Sequence, residues 1–435
     1  MKGISRRDFI KIIGAGAFGF MTKPVRPLTE RTRSPQASDV VQCYHENATT
    51  GNVINESVAR VMIDESIKTL TGIADLGEAW KSVFPGITED SIIGIKVNCL
   101  LQITTHKEFT YRLVSSLTQM QFGSEYFKAN NIIIWDNQDN LLQNNGGYTI
   151  YDGSDPDTVR CFGTNHPGIG YNYSLPFNVN GTASYPSHIL TTLCDYIIDA
   201  AVIKDHSISQ ITLTLKNNYG SIHNPGWLHG GQCNPYIPSL NQQIRDVPDP
   251  PDIQKLFIVD ALIGCYSGGP GGPPNFYPNM VLMSFDPVAI DTQGQNLINE
   301  ERALHGLSQY NAPHITTAAQ SPYNLGTTDV NLIEIINPGV NEHTRPLNAN
   351  GSFKITPNPF RDRTAITLNL EESSPIHLDL IDASGRVIDR IYAGQRISGM
   401  HRIMYTPRAS IPAGHYFLRL NAHGMISTQK LTILP

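Results

Sequence analysis

The chain has 435 residues and a formal net charge of −6, and its length is enough for two or three domains. Residues 34–351 carry 14 basic and 30 acidic side chains, a net of −16, while both ends of the chain are basic. An acidic body of this size repels phosphate backbones, so the composition argues against nucleic-acid binding. No apolar run after the first 21 residues reaches transmembrane length.

The first segment, SRRDFIKIIGAGAFGF at residues 5–20, contains two competing patterns. Gly14, Gly16 and Gly19 spell G-x-G-x-x-G, which marks a dinucleotide-binding turn when a strand precedes it and a helix follows it. Here the following 20 residues contain three prolines and show no helical period. A basic start followed by a short, mildly apolar stretch is instead typical of an export signal.

The motif SRRDFIK resembles the twin-arginine export signal. This resemblance implies that the twin-arginine translocase is a partner, and that the protein is exported already folded with any cofactor inserted in the cytoplasm. We therefore predict that residues 1–38 are a signal segment, either cleaved near residues 36–38 or retained as an anchor.

Between residues 39 and 340, continuous apolar strands alternate with helical patterns. This alternation predicts an α/β domain with a mostly parallel sheet and helices on both faces. Asp286, with Pro287 after it, is predicted to be a helix N-cap. The predicted strands are 91–98, 131–137, 195–206, 255–263 and 280–285, and the predicted helices are 54–70 and 104–120, the second beginning with a capping box of Thr105 and Glu108.

The hydrophobic pattern changes over the last 84 residues, residues 352–435. Segments 364–370 and 375–381 alternate strictly between apolar and polar residues, which predicts a small antiparallel β-sandwich over 352–435 after a polar linker at 341–351. The motifs ITPNPF, DASGRVI, AGHYFLRL and QKLTILP resemble the type IX secretion sorting domain, in that family's order. The resemblance implies the type IX machinery as a partner and transit through the periplasm to the cell surface or medium. A sandwich that binds carbohydrate or mediates adhesion is the alternative interpretation of this tail.

Six cysteines are spread along the chain without any C-x-x-C motif. This spacing argues against an iron–sulfur cluster or a structural zinc knuckle, so no iron–sulfur cluster is expected. Buried thiols and a single disulfide bridge remain open as alternatives.

Polar residues close several of the predicted strands. In open parallel sheets, ligands bind outside the carboxyl ends of the strands, so these side chains are candidates for one shared site. Each residue alone is more simply explained as a helix cap or a solvated loop charge. The candidates are Lys96, Asn98, Asp136, Lys204, Asp205 and His206 at strand ends, Asp260 inside the fourth strand and Asp286 after the fifth.

Two loops add further candidates. The stretch ITLTLKNNYGSIHNPGWLHGG at 211–231 combines Lys216, Asn217, Asn218, Gly220 and several rings. Its His223 and His229, together with His206, could hold a metal ion, although satisfied loop histidines are the more common outcome. The loop CYSGGPGGPP at 265–274 could expose backbone N–H groups to an anion, but it lacks the ending of a nucleotide-binding phosphate loop.

The segments IGIKVN, NIIIWDN, DYIIDAAVIKDH, TLTLKNNYG and MSFDPVAID resemble, in order and wording, the family called domain of unknown function 362, over about 92–298. The family has no established reaction, and the ferredoxin modules that often accompany it are absent from this sequence. The resemblance implies a shared site formed by Lys96, Asn98, Lys204, His206, Lys216, Asn217, Asn218, Asp260, Asp286 and Asp291.

Two functions remain open at this point. In the first, the protein is an enzyme: lysines bind a small anionic or metal-bound ligand, and His206, Lys204, Lys216 and Asp260 carry the chemistry. In the second, it is a surface protein that captures a solute or cofactor without turnover, with Lys96, Asn98, Asn217, Asn218, Gly220, Asp286 and Asp291 as binding residues. A metal ion is a possible cofactor of either.

Overall fold

The computed structural model describes residues 37–247, 249–339, 353–370, 374–382, 385–396, 399–408, 411–422 and 425–434. The predicted export signal, apart from its last two residues, and the whole of the predicted linker lie outside this part. Within it, the body contains one large sheet. Its strands are β1 (Ser38–Tyr44), β2 (Ile93–Lys96), β3 (Ile132–Trp135), β4 (Arg160–Cys161), β5 (Tyr196–His206), β6 (Gln210–Thr212), β7 (Gln254–Cys265), β8 (Met280–Ser284) and β9 (Val330–Ile336).

The strands lie in the order β9-β1-β8-β7-β5-β2-β3-β4, and β6 pairs with β5. The run from β7 to β4 is parallel, β8 is antiparallel to both β7 and β1, and β6 is antiparallel to β5. The predicted mostly parallel α/β sheet is therefore confirmed. Alternate residues of β5 enter two separate cores, since Ile197 packs on one face and Ile198 on the other. Burial on both faces explains why the central strands read as continuous apolar runs.

Helices cover both faces. The helix α1 (Glu56–Thr71) begins after Asn55, whose side chain caps the Val58 N–H, and is followed by Gly72, which has φ of 71°. The predicted capping box of the third helix is wrong. Its Thr105 hydroxyl instead accepts from the Asn98 N–H and donates to the Ala200 carbonyl, and the helix begins at Lys107. The helices are α1 (Glu56–Thr71), α2 (Leu76–Val83), α3 (Lys107–Leu117), α4 (Asp139–Asn144), α5 (Thr214–Asn217), α6 (Tyr236–Arg245), α7 (Pro287–Leu304) and α8 (Pro313–Ala319).

The predicted N-cap at Asp286 is confirmed. Its Oδ1 accepts from the N–H groups of Val288 and Ala289, and its Oδ2 accepts from the Ser38 hydroxyl and the Thr327 N–H. The carboxylate thus joins α7 to strand β1 and to the segment just before strand β9, and the sequence patterns predicted neither strand. These two strands pair in parallel along their full length and form one edge of the sheet.

The tail forms two antiparallel sheets around a core of its own, which confirms the predicted sandwich. One sheet contains the segments Phe353–Thr356, Thr364–Leu370 and Gly399–Tyr405, and the other contains Val387–Arg396, Ser374–Ile381, Gly414–Ala422 and Met425–Ile433. The alternating residues Ile366, Leu368, Ile376 and Leu378 all enter the core between them, as the period of two requires.

All six cysteines are buried and free. Burial raises the pKa of Cys43 to about 12, so this thiol stays protonated at neutral pH. None of the helices in the described ranges is long and apolar enough to cross a membrane.

The parallel pair β5 and β7 contains an irregularity that depends on one glycine. A Cβ at Gly264 would lie 2.1 Å from the Ile203 carbonyl oxygen, which belongs to rigid backbone. We therefore expect Gly264→Ala to lower the free energy of unfolding by about 1–3 kcal/mol, the usual cost of overpacking.

Urea unfolding followed by circular dichroism measures this change. Gly271→Ala is the matched control, because its new methyl group would meet only the Leu101 side chain at 3.7 Å. Equal stability of the two variants would show that β5 and β7 do not approach this closely.

Candidate functional site

The KNN segment, Lys216 to Asn218, is held at its start by Asp291. The Asp291 carboxylate accepts from the Thr214 N–H at 2.8 Å, the Thr214 hydroxyl at 2.7 Å and the Leu215 N–H at 3.1 Å. Burial raises the pKa of Asp291 to about 7, although these hydrogen bonds act in the opposite direction. Asp291 therefore fixes the first turn of α5.

The two asparagines of the segment anchor it to the sheet. Asn217 donates to the Lys96 carbonyl at 3.1 Å and to Asp199 Oδ1 at 2.7 Å, and it accepts from Lys96 Nζ. Asn218 donates to Asn241 Oδ1 at 2.8 Å and accepts from Gln254. Burial raises the pKa of Asp199 to about 8. Both amides are thus engaged within the protein.

Lys96 is also engaged. Its ammonium is 1% exposed and donates to the Val97 carbonyl at 2.7 Å, Asp136 Oδ1 at 2.9 Å and Asn217 Oδ1 at 3.2 Å. Asp136 continues the network by accepting from the Cys99 and Asn137 N–H groups. A Cβ at Gly220 would lie 2.5 Å from Asp136 Oδ1, so Gly220 allows the chain to pass directly over this ion pair.

Lys204 has a similar environment without a paired carboxylate. Its ammonium donates to Asn98 Oδ1 at 2.9 Å and to the carbonyls of Leu100 and Ile103 at 3.0 and 2.7 Å. Burial lowers the pKa of Lys204 to about 8. Because Lys96 and Lys204 each use all three N–H groups, both hold the protein chain in place.

Lys216 differs from the other two lysines. It is 6% exposed, its Nζ lies 3.2 Å from His229 Nε2, and it lies 3.8 Å from the centroid of the Tyr219 ring. Within the described part of the chain, its ammonium has no other hydrogen-bond partner and no ion pair. Two of its three N–H groups are therefore unused.

Three imidazoles lie near enough to this ammonium for its charge to lower their pKa values, and we call the four residues Lys216, His206, His229 and His314 the Lys216 cluster. The His206 and His229 rings stack with centroids 5.8 Å apart, and His206 Nδ1 accepts from the N–H groups of Ile208 and Ser209. His314 is fully buried, and neither ring nitrogen has a hydrogen-bond partner in the described residues.

Burial and mutual repulsion together set the charges of the cluster. Burial lowers the pKa of Lys216 to about 8. Burial and the Lys216 charge lower the pKa of His206 and of His314 to about 3, and the same two causes lower the pKa of His229. At neutral pH the cluster is therefore a buried ammonium surrounded by neutral imidazoles.

The predicted anion cradle in the glycine-rich loop is wrong. The N–H groups of Gly268 and Gly269 donate to Asp205 at 3.1 and 2.6 Å, and Tyr310 donates to the same carboxylate. A protein carboxylate already occupies the position that an exogenous anion would need.

Asp260 binds His106, which the sequence patterns did not single out. Asp260 Oδ2 accepts from the His106 N–H at 2.9 Å and lies 2.7 Å from its Nδ1. Burial alone would lower the pKa of His106, but the charge and hydrogen bond of Asp260 outweigh it and raise the pKa. The pair fixes the start of α3 over the sheet.

The proposed metal ligands do not all meet. His206 and His229 stack, whereas His223 accepts from the Tyr185 N–H at 3.0 Å and packs against Tyr171, Tyr185 and Trp227. Among the residues that the structure describes, no group of three or more His, Cys, Asp or Glu side chains could hold a metal ion. The metal set of His206, His223 and His229 stays a prediction that this geometry does not favour.

Sequence patterns missed Asp199 and His314. Asp199 interrupts the apolar strand 195–206, and a charged residue inside a buried strand is a signal that could have identified it. His314 lies 98 positions after Lys216, at the start of α8, and no local pattern connects the two.

No curated protein matches this chain. A crystal structure of a Thermotoga maritima protein is similar at 10% identity and a TM-score of 0.27, covering 56% of this chain and 59% of that one. The DNA-bound alkylpurine DNA glycosylase AlkC from Pseudomonas fluorescens is similar at 11% identity and a TM-score of 0.15, covering 33% of this chain and 46% of that one. Both TM-scores are too low to indicate a shared fold.

Two protein families match successive parts of the chain. Residues 93–296 match the family described as Domain of unknown function (DUF362). This range contains every residue of the Lys216 cluster except His314. Residues 354–434 match the Secretion system C-terminal sorting domain, which directs a protein to the type IX machinery and thus to the cell surface or the medium. The chain therefore carries a DUF362 domain followed by a type IX secretion sorting domain.

Proposed function

We propose that the Lys216 cluster binds a small anion, a carboxylate or a phosphate. The observation that carries this proposal is the Lys216 ammonium, which is buried with two unused N–H groups and no carboxylate partner in the described residues. An unpaired buried charge is costly, so an anion that pairs with it would recover that cost. The net charge of −16 on residues 34–351 repels anions, so a positive site in this body is a specific local feature and not a result of overall charge.

The imidazoles supply the remaining donors. The His206 tautomer is inferred from its hydrogen bonds: because Nδ1 accepts two backbone N–H groups, Nε2 carries the proton and can donate. The unpartnered nitrogens of His314 add a further donor and acceptor. Neutral imidazole N–H groups together with one ammonium suit a compact anion with several oxygens.

The enzyme form of this proposal uses the same groups for proton transfer. The Lys216 ammonium would serve as the acid and His229 as the base beside a bound anion, while the neutral His206 Nε2–H would donate a hydrogen bond to that anion. Burial lowers the pKa of Lys216 to about 8 and also lowers the pKa of His229, as is common for groups that transfer protons. Lys204 and Asp260 would act as positioning residues through the chain segment 98–106 that they hold. Capture of a solute without turnover is the alternative, and it needs the ammonium but no proton transfer.

Replacing Lys216 by methionine removes the charge and keeps much of the side-chain volume. We expect calorimetric titration with inorganic phosphate to show binding to the full chain, and Lys216→Met to weaken it at least tenfold. The free energy of unfolding of this variant should stay equal or rise by about 1–3 kcal/mol, because an unpaired buried charge is lost.

Lys255→Met is the control, since Lys255 pairs with Asp252 away from the cluster. Equal phosphate affinity in both variants would refute the site.

Native mass spectrometry and elemental analysis of the full chain, purified from the cytoplasm, identify any bound molecule or metal. A stoichiometric metal that is lost in His206→Ala would favour the metal alternative.

The pKa of Lys216 also predicts how affinity depends on pH. The free site loses its charge as the pH rises through about 8, whereas a bound anion raises that pKa, so binding above pH 8 requires proton uptake. Phosphate affinity should therefore fall by up to tenfold per pH unit above 8. Lys216→Arg keeps its charge at these pH values, so a variant that still binds should show no such fall, and an identical slope would contradict the assignment.

We further propose that the protein crosses the inner membrane through the twin-arginine translocase and reaches the periplasm before the type IX step. Replacing Arg6 and Arg7 by lysine should retain the protein in the cytoplasm, because that translocase reads the arginine pair. Deleting residues 354–434 should instead leave it in the periplasm. Cell fractionation with immunoblotting distinguishes the two, and unchanged export of the lysine variant would point to another route.

A further inference from the structure

Five aromatic rings form a row on the body, which we call the aromatic row: Tyr171, Tyr173, Tyr185, His223 and Trp227. The ring centroids of Tyr173 and Tyr185 are 4.8 Å apart, and those of Tyr185 and His223 are 4.9 Å apart. His223 then lies 6.0 Å from Tyr171 and 6.3 Å from Trp227. The rings are therefore one contiguous group.

The backbone beneath the row is ordered by hydrogen bonds. Tyr185 and His223 are paired, since the His223 N–H donates to the Tyr185 carbonyl and the Tyr185 N–H donates to the His223 ring. Isolated bridges join Pro186 to Ile222 and Tyr171 to Ser187. A surface held in this way loses little conformational entropy when it binds a ligand.

The two ends of the row are exposed to an unusual degree. The exposed fraction is 75% for Trp227 and 66% for Tyr173. The Tyr173 hydroxyl and the Trp227 indole N–H have no hydrogen-bond partner in the described part of the chain. A contiguous exposed apolar patch on a protein often marks a binding surface.

The row is electrically neutral. Burial lowers the pKa of His223, so its imidazole is uncharged at neutral pH. The flat faces of the rings offer apolar area, and their hydroxyl and indole groups offer hydrogen bonds at the edge. A single-stranded nucleic acid also stacks on such rings, but it needs a positive groove for its phosphates, and this body has a net charge of −16 from 14 basic and 30 acidic side chains.

We propose that the aromatic row binds a neutral glycan chain. A pyranose ring has an apolar face of C–H groups and an edge of hydroxyls, which match the ring faces and the unpaired polar groups of the row. A proline-rich peptide fits less well, because it offers carbonyl acceptors but no donors for the tyrosine hydroxyl oxygens. The row shares no residue with the Lys216 cluster, so separate substitutions test the two sites.

The test is calorimetric titration of the full chain with neutral hexasaccharides of glucose, xylose, mannose and N-acetylglucosamine, in α- and β-linked forms. We expect at least one to bind with a Kd below about 1 mM. Trp227→Ala and Tyr173→Ala should each weaken that binding at least fivefold. Tyr126→Ala is the matched control, because Tyr126 is also exposed but lies outside the row.

Lys216→Met should leave glycan binding unchanged while it weakens phosphate binding, which keeps this proposal distinct from the anion site. Absence of binding to every hexasaccharide would overturn the proposal, as would equal affinity in Trp227→Ala and Tyr126→Ala. Binding of oligo-dT or polyproline that is lost in Trp227→Ala, without any glycan binding, would assign the row to that ligand class instead.

Discussion

The site depends on how the carboxyl-terminal halves of the central strands β2 and β5, together with helix α5, accommodate three buried ammonium groups. Removing an ammonium from water costs several kcal/mol unless hydrogen bonds and an opposite charge replace the water. Lys96 receives both, through Asp136 and two oxygen acceptors. Lys204 receives three oxygens without a paired carboxylate, and Lys216 receives one imidazole nitrogen and an aromatic face. The cost of removing the ammonium from water is thus best compensated at Lys96, less so at Lys204 and least at Lys216.

The compensated lysines explain why the uncompensated one keeps its position. Lys96 ties β2 to Asn217, and Asn217 in turn reaches Asp199 on β5, so the turn after Lys216 is fixed to two strands. Asp291 fixes the turn before it from α7. A flexible lysine would turn toward solvent to recover its hydration. Here the backbone on both sides is fixed, and the ammonium remains beside His229.

The sequence predicted the strand ends well because a buried parallel strand is an apolar run, and the polar residue that ends it is conspicuous. Lys96 and Lys204 were found in this way, whereas Asp260 was found because it interrupts the apolar run of the strand 255–263. The sequence could not predict which of these side chains would form hydrogen bonds within the protein. Their side-chain partners Asp136, Asn98 and His106 lie 40 to 154 positions away along the chain. His314 shows the same limit, since only the packing of α8 against the body brings it near Lys216. Strands β1 and β9 were missed because polar residues such as Gln42 and Glu334 interrupt their apolar runs.

The segment 214–229 links the two candidate sites through one continuous backbone. Its first residues carry Lys216, its centre pairs with Tyr185 at His223, and its last residue brings the His229 ring to the ammonium. The pairing at His223 lies between Lys216 and Trp227 along this segment, so it orders the backbone that carries both sites. A change that breaks the Tyr185 pairing would therefore affect both sites, whereas Trp227 and Lys216 can each be replaced without altering that pairing. The two sites share a support but differ in chemistry, one desolvated and positive, the other exposed and neutral.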